Sequence, residues 1–101
     1  MSEYLSVAKA NDIPVGEGRV FVTGGKQIAV FNVNGEFHAI DNTCVHQGGP
    51  LGEGFLEGTV VTCPWHAWKY DVTTGECTFN PRARVDTYTV RVENGDIQVA
   101  V

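Results

Sequence analysis

Two Asn-Gly dipeptides, Asn34-Gly35 and Asn94-Gly95, constrain this chain most, because each stands between two stretches in which apolar and polar residues alternate. A two-residue Asn-Gly loop favours a type I′ turn, whose central residues both take positive φ, and that turn joins neighbouring antiparallel strands. Around Asn94-Gly95, Tyr88, Val90 and Val92 alternate with Thr89, Arg91 and Glu93, and Ile97, Val99 and Val101 alternate with Gln98 and Ala100. The implied register pairs Val92 with Ile97, Val90 with Val99 and Tyr88 with Val101, which makes one face apolar. By the same reasoning, Asn34-Gly35 joins a strand over Lys26–Val33 to one over Glu36–Asp41.

Shorter alternating runs predict strands over Tyr4–Lys9 and over 19–23, 59–63, 68–72 and 76–79, with turns at Gly24-Gly25 and Thr74-Gly75. No window carries a long apolar period of 3.6 residues with caps, so little helix is expected. Many short strands in a chain of 101 residues predict one all-β domain over 1–101, a small antiparallel sandwich or barrel. The stretch 42–56 breaks the alternation. It holds Gly48, Gly49, Pro50, Gly52 and Gly54, so its backbone must turn tightly or approach something closely.

Chemistry concentrates beside that stretch. Cys44-Val45-His46 and Cys63-Pro64-Trp65-His66 each combine a thiol with an imidazole, and 16 residues separate His46 from Cys63. Structural zinc sites usually pair cysteines at C-x2–4-C, whereas here each cysteine is paired with a histidine and one pair has a single spacer. A nucleophilic Cys-His site would need only one of the two pairs. Inert buried cysteines would leave the glycine-rich segment without a purpose.

The flanks extend the pattern, as Cys44-Val45-His46-Gln47-Gly48-Gly49-Pro50-Leu51 and Cys63-Pro64-Trp65-His66-Ala67-Trp68-Lys69-Tyr70-Asp71. Together these segments strongly resemble the Rieske family. The resemblance implies one 2Fe-2S cluster held by Cys44, His46, Cys63 and His66, with ligand loops over approximately 42–71. In that family two cysteines hold one iron and two histidines the other. Replacing two thiolates by neutral imidazoles removes negative charge, so reduction is easier; family potentials span roughly −150 to +300 mV, against about −400 mV for plant-type ferredoxins. High-potential members bridge their ligand loops with a disulfide, at positions that here resemble Gly49 and Trp65. They also carry a serine donor where Trp68 stands, although Tyr70 is kept. Fewer donors to the cluster sulfurs imply a potential near the low end of the range.

The same resemblance implies an electron carrier rather than an enzyme. A Rieske oxygenase adds a mononuclear iron site of two histidines and a carboxylate. With His46 and His66 assigned to the cluster, His38 is the remaining histidine of three, and that site cannot be assembled. The expected donor is a flavoprotein NAD(P)H reductase and the expected acceptor a terminal Rieske oxygenase of a ring-hydroxylating system. The alternative is the small Rieske-like subunit of an assimilatory nitrite reductase.

Segment 80–84 resembles the proline-containing third loop of the family, and Arg82 and Arg84 are candidates for steering an acidic partner. Trp65 and Trp68 are candidates for shielding the cluster. Cys77 reads as a spare strand residue and His38 as a surface or edge histidine. A formal net charge of −5, from 12 acidic and 7 basic residues, argues against nucleic acid as a partner. No apolar run approaches the ~20 residues that span a bilayer. The first residues, Met1-Ser2-Glu3-Tyr4, do not read as a signal peptide, and an odd number of cysteines suits a reducing compartment. A cytoplasmic monomer is the expectation.

Overall fold

The middle of the molecule is built on a strand that is apolar on both faces. The computed structural model describes residues 4–23, 25–43, 50–64, 68–78, 80 and 82–100. Strand β3 (Lys26–Val33) lies between β2 (Gly18–Thr23) and β4 (Glu36–Asp41), and β8 (Thr87–Tyr88) extends the sheet beyond β4. Successive residues of a strand point to opposite faces. Accordingly Ala29, Phe31 and Val33 enter one core while Ile28 and Val30 enter another, and Ile40 and Ala39 of β4 divide in the same way. Burying one side chain such as Phe31 contributes about 1.5–3 kcal/mol.

Each core is closed by a further sheet. On one side β1 (Tyr4–Lys9), β10 (Asp96–Ala100) and β9 (Val90–Glu93) form a three-stranded sheet in that order, with Ile97 and Val99 buried against Ile28 and Val30. On the other side β5 (Phe55–Glu57), β6 (Val60–Thr62) and β7 (Lys69–Asp71) form the second three-stranded sheet. Val61 and Tyr70 from that sheet share a core with Phe31, Leu51 and Ile40. Every strand pairing among the described residues is antiparallel. Helix is limited there to two 3-10 turns, Ala10–Asp12 and Leu51–Glu53. The all-β expectation holds.

Both Asn-Gly turns form as the composition dictates. Asn34 and Gly35 have φ of 52° and 93°, and Asn94 and Gly95 have 54° and 79°. Val92 faces Ile97 and Val90 faces Val99, in the expected register. The hairpin ends sooner than the alternation implies, however. Tyr88 leaves it and pairs with Ala39 in the middle sheet, so residues 88 and 90 serve different sheets. The face over Val90, Val92, Ile97 and Val99 is apolar as expected, although Val92 stays 48% exposed.

Two other expectations need correction. Residues 55–56 belong to a strand, β5, because Phe55 and Leu56 find partners in Thr62 and Val61. The strand expected over 76–79 reduces to isolated bridges, Glu76 with Arg84 and Cys77 with Tyr70. Gly24, Phe79 and Val101 lie outside the described residues, and with them part of the expected Gly24-Gly25 turn and the Tyr88–Val101 pair.

Candidate metal centre

The two ligand segments depart from neighbouring points of the structure, and local hydrogen bonds close each one at its base. The first leaves the end of β4. Thr43 and Pro50 form an antiparallel bridge, and the Leu51 N–H donates to the Asn42 carbonyl at 2.7 Å. Asp41 shapes the departure, its Oδ1 accepting from the Thr43 N–H at 2.9 Å in an Asx turn. Residues 44–49, with Cys44 and His46, lie between those pinned ends and outside the described residues.

The second segment runs between β6 and β7. Val61 pairs with Tyr70 and Thr62 with Lys69, and the ladder is extended by the Cys63 N–H donating to the Trp68 carbonyl at 2.6 Å. His66 falls within 65–67, outside the described residues. Cys63 is 1% exposed and joins the core that contains Val61, Tyr70, Val72 and Leu51, with Trp68 packed at its edge.

A glycine brings the two bases together. Gly54 has an ordinary extended backbone, φ −76° and ψ 178°, so its role is space rather than handedness. A Cβ there would overlap the Thr62 carbonyl oxygen and lie 2.9 Å from Val61 Cγ2. The return of the first segment therefore presses onto the strand that delivers Cys63. This close approach is one purpose of the glycine-rich stretch.

The third segment is tied in as well. The Cys77 N–H donates to the Ala83 carbonyl at 2.9 Å and the Thr78 N–H to the Lys69 carbonyl at 2.9 Å, while the Arg82 N–H donates to Asn80 Oδ1 at 3.2 Å. At its exit, the Asp86 carbonyl accepts from the Asp41 N–H at 2.8 Å, beside the entry to the first segment. Arg82 is exposed; Arg84 turns its guanidinium back to the Thr74 carbonyl at 3.4 Å. Their distance from the histidines lies outside the described residues, as does Pro81.

Of the remaining candidates, Cys77 is 3% exposed, in the same core as Cys63. It is a core residue, more enclosed than a spare strand position implies. His38 is partly buried in β4, with Nε2 3.7 Å from Glu36 Oε2. Trp65 is outside the described residues. Asn42 escaped the sequence reading, yet it is one of two buried polar residues among those described. Its signal was available, since an asparagine at the junction of a strand and a glycine-rich segment favours a side-chain-bonded turn.

The arrangement suits an inorganic cluster by its donor chemistry. A buried thiol at the end of a paired strand is a fixed soft ligand, and soft thiolates together with imidazoles suit iron–sulfur chemistry. Comparison with known proteins agrees. The model of the Rieske [2Fe-2S] domain matches residues 3–89. A relative from Ralstonia sp., the ferredoxin component of naphthalene 1,2-dioxygenase/salicylate 5-hydroxylase systems, is 38% identical over 92 residues, covering 90% of this chain and 88% of its own. Among solved structures, the complex of reduced oxygenase and oxidized ferredoxin in carbazole 1,9a-dioxygenase aligns with a TM-score of 0.87 at 34% identity, over 96% of this chain and 92% of that one. A Mycobacterium tuberculosis protein provisionally assigned as an NADH-dependent nitrite reductase small subunit aligns with a TM-score of 0.93 at 26% identity, over 100% and 96%. With its all-β fold, its paired Cys-His segments and a family match over most of its length, the chain belongs to the Rieske [2Fe-2S] family.

Proposed function

We propose that this chain is a one-electron carrier, the ferredoxin component of a ring-hydroxylating dioxygenase system, with no substrate chemistry of its own. The observation that carries the reading is the 38% identity to such a ferredoxin component over nine-tenths of this chain, beside a fold that pins the residues flanking both Cys-His segments. Cys44, His46, Cys63 and His66 would hold one 2Fe-2S cluster, which when bound supplies a one-electron couple. Cys63, enclosed by the core, would hold one iron together with Cys44, and His46 and His66 would hold the other. A flavoprotein NAD(P)H reductase is the donor and a terminal Rieske oxygenase the acceptor. Each meets the carrier in a small, short-lived complex, below the ~1,200 Å² typical of redox encounters. The whole of 1–101 acts as one domain, a cytoplasmic monomer, and contacts neither nucleic acid nor membrane. No helix among the described residues is long and apolar enough to cross a membrane.

The likeness to a nitrite reductase small subunit is one of backbone, at lower identity, and the ferredoxin reading is preferred. Potentiometry with EPR of the dithionite-reduced protein tests the proposal. A histidine-ligated 2Fe-2S signal, with a potential near the low end of the family range, is expected. A zinc-loaded, EPR-silent protein would overturn it. Size exclusion from the native host separates the two systems, since a shuttle elutes alone and a subunit with its large partner.

A further inference from the structure

Asn42 is held in a manner that a turn residue does not require. Its side chain is 4% exposed. Its Oδ1 accepts from the Gly52 N–H at 2.7 Å, a buried bond across the base of the first ligand segment. Its Nδ2 donates to Gln27 Oε1 at 3.4 Å, and its backbone N–H donates to the Gln27 carbonyl at 3.0 Å, which anchors it to β3. Its carbonyl accepts from Leu51. One residue thus spans from the middle sheet to the point where the segment returns.

Gly52 is matched to it. A Cβ at Gly52 would overlap Val20 Cγ2 and stand 3.0 Å from Asn42 Oδ1, so the bare backbone is what lets this amide reach the asparagine. Regular pairing is sparse nearby, because the β4 ladder ends at Asp41 and β5 begins at Phe55. Between those points the only bridge among the described residues is Thr43 with Pro50.

We propose that Asn42 is a positioning residue for the cluster. By fixing Gly52 against β3, its amide oxygen adds a side-chain tie to the Thr43–Pro50 bridge and the Leu51 bond, and so holds the base from which 44–49 leaves and to which it returns. This rests on the ligand assignment above. Outer groups that orient ligands typically change metal affinity by about 10–100-fold when removed. A neutral amide does this without placing a charge beside the centre, and an alanine leaves the buried Gly52 N–H without its acceptor.

The test uses the full-length, cluster-loaded protein. Asn42→Ala is expected to shorten the cluster's half-life in the presence of an iron chelator by about tenfold or more, and to change the EPR line shape of the reduced protein. Asn42→Asp keeps an acceptor in the same place and should restore the cluster's half-life towards the wild-type value, while its added negative charge lowers the potential. Gln27→Ala, which removes only the long Nδ2 contact, should behave as wild type. An Asn42→Ala protein with a lower melting temperature but an unchanged EPR signal would overturn the inference, and so would failure of Asn42→Asp to rescue. Should Asn42→Ala not accumulate, Asn42→Ser, one heavy atom shorter, takes its place in the comparison. If the wild-type protein itself forms no reducible cluster, the ligand assignment fails first, and that result is distinct from an unaltered Asn42→Ala.

Discussion

The amide of Cys63 donates to the carbonyl of Trp68 at 2.6 Å, and this bond closes the β6–β7 ladder immediately below the segment that carries His66. A cysteine so placed is the last residue of a strand pair and the first of a ligand loop. Its backbone is fixed by pairing and its side chain by the core. As the cluster ligand proposed above, it would be preorganised, with little ordering left to be done on metal binding.

Cys63→Ser should therefore abolish the visible absorption of the iron–sulfur protein, and Cys77→Ser should leave it intact. The second variant has its own cost. Because Cys77 is buried, its hydroxyl replacement should lower stability by roughly 1–3 kcal/mol. Absorption spectra and denaturant unfolding of both variants decide the matter. A bleached Cys77→Ser protein would place that thiol in the centre after all.

Gly54→Ala should destabilise the protein by about 1–3 kcal/mol, because the added methyl group overlaps the Thr62 carbonyl and crowds Val61. The strain falls where the bases of the two ligand segments meet, so iron content per chain should fall with it. Iron and sulfide analysis beside thermal unfolding would show whether the two losses go together.

Gly95→Ala provides the contrasting case. Nothing lies within 4 Å of the position its Cβ would take, but φ is +79°, so the cost is purely conformational. A loss of about 1–2 kcal/mol is expected, with an unchanged EPR spectrum, since this turn lies in the other sheet. A changed spectrum would reveal coupling across both cores.

Alkaline stability should depend on Tyr88. Burial pushes its hydroxyl pKa above the ordinary value of 10.0, and the negative charges of Asp41 and Asp86 push in the same direction. The folded protein then keeps a proton that the unfolded chain gives up. Stability is fully present below the unfolded value of 10.0 and is lost as pH rises through the higher folded value. Urea midpoints measured across this range should fall for the wild type and fall less for Tyr88→Phe.

Exchange of Arg82 and Arg84 for alanine should slow electron transfer to an acidic partner at low salt and make little difference at high salt. Arg82→Ala alone should account for most of the effect, because Arg84 is turned to the Thr74 carbonyl. Stopped-flow reduction at two ionic strengths measures it. Equal rates for wild type and double variant at low salt would remove the arginines from the docking face.

Much of the fold was legible because its signals are local. Asn34-Gly35 and Asn94-Gly95 carry their own turn geometry, and the residues on either side alternate with the pleat, so Lys26–Val33, Glu36–Asp41 and the Val90–Val99 register could be read directly. Tyr88 was misplaced because alternation continues through Thr89 with no local mark of a change of sheet; the pairing with Ala39 is a long-range choice. Residues 55–56 were missed as strand for a different reason: their partners Thr62 and Val61 lie just across the turn at 58–59, but the glycine-rich run before them hid the start of the alternation. The short pairing at Glu76 and Cys77 shows the converse, an alternating run with too little ladder to form a strand.

The sequence by itself singled out the candidate donor set, because two thiols and two imidazoles at short fixed spacings are a chemical inventory that needs no coordinates to read. It also determined the two tight turns, since positive φ is a property of the residues that occupy them. Only the tertiary structure decided that Gly54 brings the returning first segment onto the strand that leads to Cys63, and that Asn42 reaches Gly52 across the base of that same first segment. Those contacts join residues distant in sequence or hidden in the core, and they depend on how closely two backbones approach once the sheets have packed.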